Sequence, residues 1–366
     1  MVSPRSSGPP SLRRLVLPGL FVGGLFAIVL FRQGPDTGVS RELLISGPTM
    51  GTTFNVKVVT DDLTEANRER LTLLVRAALD GVDERMSTYR SDSEIEQFNR
   101  GDTEPFAASQ DLLVVVAEAQ RVAWLTGGAF DITVGPLVDI WGFGPPGAAE
   151  APDEDTLQEL VAVTGFEQLE VDVEGGALRK ARADCRIDLS AIAKGFGADQ
   201  VSAALTRQGL PNHMVEVGGE VRARGLNESE QIWRIGIERP TSAGRSVQFI
   251  VPLADRSLAT SGDYRNFVER DGVRISHTID PRTGRPISHN LASVSVIHAS
   301  CMTADGLATA LSVLGPDEGF ELAERQEIPA YFLVRVADDQ FEERQTSVWK
   351  SLIENSSSAG TVDEVR

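Results

Sequence analysis

Cysteine is scarce in this chain: its 366 residues include only Cys185 and Cys301. Two cysteines cannot build a disulfide framework, and their separation does not fit the paired spacing of a zinc site. They could pair in an oxidising compartment or remain two buried thiols. The sequence leaves the redox compartment open.

Positive charge is also in short supply. The chain has 35 Lys and Arg against 53 Asp and Glu, a formal net charge of −18. This excess repels phosphate backbones and argues against nucleic-acid binding. An anionic small-molecule substrate would therefore need a local cation or a metal ion to hold it.

Several well-known catalytic motifs are missing. The sequence has no Walker motif, Gly195 and Gly197 do not complete a Rossmann pattern, and Gly-x-Ser-x-Gly does not occur. With four histidines there is no evident triad order. These absences argue against a P-loop enzyme, a Rossmann dinucleotide site and a serine hydrolase.

The N-terminus carries a long apolar run. Arg13 and Arg14 precede Leu15–Phe31, and a Gly/Pro/Asp stretch follows it. The run has about 17 residues, the short end of a membrane-spanning helix. We interpret residues 1–41 as a cytoplasmic stub, an uncleaved signal anchor and a linker, although a signal sequence or an apolar tail packed into the fold would show similar features. No cysteine lies nearby, which excludes lipid attachment there.

The rest of the chain has the composition of a globular protein, with 41% hydrophobic and 24% charged residues. Residues 42–352 are predicted to form one domain, and 353–366 a flexible tail. Strands and helices mix without strict βαβ alternation, which favours an α+β fold. Alternation and helical spacing predict strands at 54–58, 214–217, 233–237, 247–251 and 293–297, and helices over 64–86, over 109–125, after Asp188 and from near Thr303.

Five segments are poor in bulky apolar residues and rich in Gly, Thr, Asp and Ala, as backbone-mediated ligand sites are. They are Gly47–Thr53, Gly127–Pro136, Asp188–Gly195, His277–Pro286 and Thr303–Thr309.

Asp305 and Thr309 stand four positions apart, so a helix would present both oxygens on one face near its N-terminus. A carboxylate and a hydroxyl, completed by a backbone carbonyl and substrate phosphates, suit Mg²⁺. A structural alternative is that Asp305 only complements the helix dipole while Thr309 bonds its own turn. Spacing alone favours the structural alternative.

Two further residues have open roles. Lys194 lies near a predicted helix start, where backbone amides and an ammonium could hold phosphate, or where a lysine could be an ordinary surface residue. His277 lies in a turn-rich segment. It could stack on a base, act in acid–base chemistry or be part of a loop without a functional role.

Read together, the segments resemble the FAD:protein FMN transferase family, the ApbE-type proteins. The resemblance spans roughly Leu44 to Leu333, with its motifs in family order. The segments that carry it are Pro48–Thr53, Met86–Arg90, Gly128–Asp131 with Trp141–Gly144, Ile187–Gly195, Glu216–Gly219, Ala259–Gly262, His277–Gly284 and Ala304–Thr309.

The resemblance implies a T-fold-like domain with mixed or antiparallel sheets and flanking helices. It also implies transfer of FMN from FAD to a Thr or Ser hydroxyl of an acceptor protein, with release of AMP. Asp305 and Thr309 would hold Mg²⁺ together with the Ala191 carbonyl, and Lys194 would approach the FAD phosphates. Asp305 or His277 would be the base. Residues implied in the FAD site are Met50, Tyr89, Ala129, Phe130, Asp131, His277 and Ile287.

The expected partners are FAD and an acceptor flavoprotein, such as a subunit of a membrane redox complex or a secreted reductase. The catalytic domain is expected on the periplasmic side of the inner membrane. Two alternatives share the sequence features: an FAD pyrophosphatase that releases free FMN and AMP, and an FAD-binding protein without catalytic activity.

Overall fold

The computed structural model describes residues 28–29, 41–145, 151–240, 246–262, 267–270, 273–337 and 339–359. Within these residues the helices are α1 (Glu65–Met86), α2 (Glu94–Arg100), α3 (Gln110–Leu125), α4 (Gly135–Ile140), α5 (Glu154–Val163), α6 (Ala193–Arg207), α7 (Cys301–Arg325) and α8 (Ser347–Ala359). Short 3₁₀ turns occupy Ile132–Val134 and Phe166–Gln168.

The strands fall in groups between these helices, and β7 to β16 follow one another without a helix between them. They are β1 (Ile28–Val29), β2 (Glu42–Thr49), β3 (Thr52–Val59), β4 (Phe106–Ala107), β5 (Leu169–Asp172), β6 (Ala177–Lys180), β7 (His213–Val217), β8 (Glu220–Arg224), β9 (Trp233–Glu238), β10 (Val247–Leu253), β11 (Ser257–Gly262), β12 (Phe267–Arg270), β13 (Val273–Ser276), β14 (Ile279–Asp280), β15 (Arg285–Pro286), β16 (Leu291–His298), β17 (Ala330–Ala337) and β18 (Gln340–Gln345).

Eight strands form the central sheet, in the order β18-β17-β16-β11-β8-β7-β3-β2, and every neighbouring pair is antiparallel. Because side chains alternate between the faces of a strand, Met214 and Val215 of β7 enter different cores. The core on one side packs against α1, α3, α6 and α7. The core on the other side packs against β9, β10 and α8. These features confirm the α+β prediction.

Local sequence signals place most helices correctly. Thr64 and Ser109 accept hydrogen bonds from backbone amides at the starts of α1 and α3, as N-cap residues do. Gly127 and Gly128 follow α3 with positive φ, the conformation that a glycine adopts without strain. The predicted strands are present, and α7 begins two residues before Thr303.

The C-terminal segment differs from the prediction. Helix α8 continues to Ala359, through positions predicted to be a flexible tail. Leu352 and Ile353 pack against the buried cluster around Trp349, and this packing supports a helix that Ser-rich composition does not suggest.

The predicted N-terminal anchor lies almost entirely outside the described residues. Ile28 and Val29, at its end, pair as β1 with β9. No helix within the described part of the chain combines the length and apolarity needed to cross a bilayer.

Lys180 holds the segment before the predicted site, residues 183–187, by hydrogen bonds to backbone carbonyls. Its side chain is fully buried, and the ammonium donates to the carbonyl oxygens of Asn99 at 2.9 Å, Ala183 at 3.0 Å and Cys185 at 3.1 Å. The Asn99 side chain in turn exchanges two hydrogen bonds with the Ile187 backbone. These contacts anchor residues 183–187 just before the loop that contains Ala191.

A close approach of α6 and α7 follows that loop. A Cβ at Gly195 would lie 2.3 Å from the Cys301 carbonyl oxygen and 2.8 Å from Cβ of Asp305. Neither the backbone oxygen nor the Asp305 Cβ can move without shifting α7. The absence of a side chain at Gly195 therefore sets the distance between the two helices.

The Lys180 contacts predict a large effect on stability. Lys180→Met should lower the free energy of unfolding by about 3 kcal/mol, because three carbonyls, two of them in buried contacts, lose their donor. Arg179→Met, next to it on β6, removes an exposed pair with Glu170 and an exposed hydrogen bond to the Thr103 carbonyl, and should cost no more than about 1 kcal/mol. Urea titration of the full-length variants measures both. Equal losses would show that the ammonium contacts carry no special weight.

The helix contact predicts opposite results for two helical glycines. Gly195→Ala should lower the free energy of unfolding by about 2 kcal/mol through overpacking. At Gly81 in α1 the nearest atom to an added Cβ is the movable end of Arg85, so Gly81→Ala should be neutral or stabilising by up to about 1 kcal/mol. Thermal unfolding tests the pair. A stable Gly195→Ala variant would contradict the tight contact.

Candidate active site

Asp305 lies where α6 and α7 meet. It is 4% exposed, and its Oδ2 accepts a hydrogen bond of 2.9 Å from the Gly195 amide. Ile192 is the N-cap of α6, so the Gly195 amide lies in the first turn, where amides have no partner within the helix, and Asp305 supplies one. Ala191 comes directly before the N-cap, and no backbone amide of the described residues donates to its carbonyl oxygen.

Lys194 lies between two buried carboxylates. Its Nζ is 3.5 Å from Oε1 of Glu220 and 3.7 Å from Oδ1 of Asp305. It also donates to the Ser190 carbonyl at 3.3 Å. The three donors of the ammonium thus have three acceptors, which come from the α6 loop, β8 and α7.

The charges of this cluster are strongly coupled. Burial raises the pKa of Asp305, and the Lys194 ammonium opposes that shift. Burial likewise raises the pKa of Glu220 well above its usual range, again opposed by Lys194. For Lys194, burial acts to lower the pKa, but the Asp305 and Glu220 carboxylates outweigh it and raise the pKa above its ordinary value. The lysine is therefore held in its charged form.

Thr309 lies one turn after Asp305 on α7 and is half-buried. The first turn of α7 is capped by Ser300, whose Oγ accepts from the Thr303 amide at 3.2 Å. Asp305 is therefore not the capping residue. Its carboxylate accepts instead from the Gly195 amide of α6.

A second group of predicted residues lies around Phe143. The Tyr89 hydroxyl donates to the Phe143 carbonyl at 3.3 Å, and the ring of His277 meets that of Phe143 edge to face, with centroids 6.4 Å apart. The Ile287 amide donates to the carbonyl of Thr278, the neighbour of His277. Tyr89, His277 and Ile287 therefore lie in one region of the fold.

Asp188 connects the residues around Phe143 with the loop that precedes Lys194. Burial, followed by the Asp188 and Asp139 carboxylates, raises the pKa of the half-exposed Tyr89. Asp188 also begins the loop with Ser190 and Ala191, and its Oδ1 accepts from the Ser190 amide at 2.7 Å. The Tyr89 region thus lies near the loop that precedes Lys194.

Met50 and the segment Ala129–Asp131 border the cluster from other directions. Met50 forms the left-handed turn between β2 and β3, and its Cε would lie 3.0 Å from a Cβ at Gly197 of α6. Phe130 faces Gly306 of α7, the residue after Asp305. The Asp131 carboxylate is engaged within the fold, accepting from the amide and the hydroxyl of Thr133.

Glu220 was missed by sequence reasoning. It directly follows Glu216–Gly219, which the sequence analysis did single out, and it is 3% exposed. Its Oε2 is buried and has no hydrogen-bond partner. A glutamate after two glycines is easily taken for an exposed turn residue, so only the fold identifies it as part of the site.

The chain is similar to known proteins over most of its length. The model of the ApbE family matches residues 50–332. A protein of Vibrio cholerae named FAD:protein FMN transferase is 47% identical over 316 residues, covering 86% of this chain and 93% of its own length. One of the same name from Haemophilus influenzae is 42% identical over 321 residues, covering 86% and 92%.

The fold is also similar to solved structures of ApbE proteins. The flavin transferase ApbE from Vibrio cholerae superimposes with a TM-score of 0.78 at 46% identity, covering 86% of this chain and 99% of that one. The flavinyl transferase ApbE of Pseudomonas stutzeri gives a TM-score of 0.78 at 39% identity, covering 87% and 98%. The matched range contains Lys194, Glu220 and Asp305, and the chain belongs to the ApbE family.

Proposed function

We propose that this protein transfers FMN from FAD to a Thr or Ser hydroxyl of an acceptor protein and releases AMP. The observation that carries the proposal is the buried Asp305–Lys194–Glu220 cluster at the junction of α6 and α7. The relatives named FAD:protein FMN transferase support it, because the similarity extends over nearly their whole length.

In this reaction the acceptor oxygen attacks the phosphorus on the FMN side of the pyrophosphate. One P–O bond forms to the acceptor, and the bond to the bridging oxygen breaks, so that AMP leaves with that oxygen. The hydroxyl proton passes to a base, for which Asp305 and His277 are the candidates. The enzyme need form no covalent bond of its own, and its main task is to position the reactants.

The residues present fit a hard divalent cation such as Mg²⁺. Asp305 and Thr309 offer a carboxylate and a hydroxyl on one face of α7, and the Ala191 carbonyl, just before the N-cap of α6, accepts from no backbone amide of the described residues. In the described part of the chain no three His, Cys, Asp or Glu side chains converge as a metal site. Substrate oxygens would therefore complete the coordination. When bound, the cation would neutralise charge on the pyrophosphate.

Lys194 would approach the FAD phosphates, because its ammonium is kept charged at the start of α6, where backbone amides also favour anions. The rest of FAD would lie along Met50, the Ala129–Asp131 segment and the region of Tyr89, His277 and Ile287.

The location outside the cytoplasm belongs to the proposal as well. Its support is the Arg13–Arg14 pair before the apolar run Leu15–Phe31, which favours a signal anchor with the domain on the periplasmic side of the inner membrane. The acceptor would then be a flavin-bearing subunit of a membrane redox complex or a secreted reductase.

Incubation of the full-length protein with FAD and Mg²⁺, with and without a candidate acceptor domain, tests the activity. We expect an acceptor whose mass rises by that of FMN less one water, with an equal amount of AMP. Gel fluorescence and mass spectrometry detect the product. Free FMN and AMP in both samples would identify a pyrophosphatase instead, and FAD that binds but survives with every acceptor would identify a binding protein.

Asp305→Asn should reduce transfer by about a thousandfold or more, since charge stabilisation by a metal is worth several kcal/mol and each 1.36 kcal/mol is a factor of ten. Asp317→Asn, beyond the kink of α7 at Gly315, is the control. Asp317 is 84% exposed and its carboxylate pairs with Arg344, so transfer should stay within about twofold. Initial rates over a Mg²⁺ series measure both. Normal transfer by Asp305→Asn at ordinary Mg²⁺ would refute the metal assignment.

A further inference from the structure

Glu220 has an unusual environment for a glutamate. It is the first residue of β8, it is 3% exposed, and one carboxylate oxygen has no hydrogen-bond partner. A buried carboxylate without full hydrogen bonding is costly, and a fold that serves only stability would replace it with an apolar side chain. The cost therefore indicates a role in the site.

The turn before Glu220 is shaped to receive Lys194. Gly218 has a φ of +59°, and a Cβ there would lie 3.0 Å from Cδ of Lys194 and 2.9 Å from Cγ2 of Thr52. The aliphatic stem of the lysine thus lies directly against the glycine turn. The Gly219 amide is fixed by Oε1 of Glu216 at 2.8 Å. This turn therefore contacts the aliphatic stem of Lys194 and also positions the Glu220 carboxylate, which pairs with the Lys194 ammonium.

The charges show what Glu220 contributes. Two carboxylates share one ammonium, at 3.5 Å from Glu220 and 3.7 Å from Asp305. A divalent cation bound to Asp305 would repel the ammonium and take away one of its partners. Without another anion close by, Lys194 would either leave the site or compete with the cation for Asp305. Glu220 is the anion that remains.

We propose that Glu220 is a positioning residue that keeps the Lys194 ammonium in the site when a divalent cation occupies Asp305. The inference rests on the metal and FAD assignments of the proposed function. Glu220 acts through Lys194 and need not touch substrate. Its negative charge favours the cation and, in the absence of the cation, opposes the anionic pyrophosphate.

The charge of Glu220 should have opposite effects on cation binding and on pyrophosphate binding, and this pair of effects distinguishes its role from a purely structural one. In Glu220→Gln, Lys194 has only Asp305 as a charged partner, so Mn²⁺ should bind about tenfold more weakly or worse. The same variant should bind FAD more tightly than the wild type when metal is removed with EDTA, because one repelling charge is gone. A damaged site would lose both affinities together.

The measurements use full-length protein in detergent at pH 8. Electron paramagnetic resonance follows free Mn²⁺, and quenching of flavin fluorescence follows FAD. Glu220→Asp keeps the charge and should stay near the wild type in the Mn²⁺ titration, which also covers the case that the Gln variant fails to fold. Glu216→Gln removes a buried charge from the same turn, but its carboxylate bonds Asn55 and Gly219, so it should not produce the opposite pair of changes.

The outcomes separate the inference from the function on which it depends. If the wild type binds Mn²⁺ and FAD but Glu220→Gln binds Mn²⁺ equally well, or weakens both ligands alike, the role of Glu220 is refuted and the proposed function stands. If Glu220→Asp weakens Mn²⁺ as much as a neutral residue does, the role is also refuted. A wild type that binds no Mn²⁺ overturns the metal assignment and the inference together.

Discussion

The candidate site depends on one close contact, between the backbone of α6 at Gly195 and the side chain of Asp305 on α7. The hydrogen bond of 2.9 Å between them fixes the buried carboxylate and gives a partner to an amide in the first turn of α6. The same carboxylate lies 3.7 Å from the Lys194 ammonium, so this contact also positions the charged cluster. Glycine is required there, because any Cβ would collide with the Cys301 backbone.

The second constraint is the cost of burying charge. Two carboxylates and one ammonium are largely removed from water, and such clusters seldom stabilise a fold more than apolar packing would. The surrounding structure holds them by backbone contacts, namely the Gly195 amide, the Ser190 carbonyl and the Gly218 turn. The arrangement is thus maintained by rigid elements on three sides, as a site must be if it is to position a pyrophosphate.

The sequence predicts what depends on neighbours in the chain and misses what depends on distant ones. The cap at Thr64 and the alternation over Phe54–Val58 involve a few adjacent residues, and both predictions are confirmed. The bond between Gly195 and Asp305 joins residues 110 positions apart, so no local pattern contains it. Spacing alone favoured a structural role for Asp305, and only the resemblance to the ApbE-type proteins reversed that interpretation. Neither the local sequence pattern nor the family resemblance identified Glu220, because its burial results from the packing of β8 against α6 and α7.

The net charge of the chain and the charge of the Asp305–Lys194–Glu220 cluster both disfavour binding of an anionic substrate. A chain with a net charge of −18 repels an anionic substrate, and the cluster by itself carries two acids for one base. In the proposed function, a cation at Asp305 and a pyrophosphate beside Lys194 would each reduce the repulsion that the other meets. By linkage, each must then increase the affinity for the other by the same factor. A site that is acidic for the phosphates and poor in ligands for the cation should therefore bind each of them more tightly when the other is present.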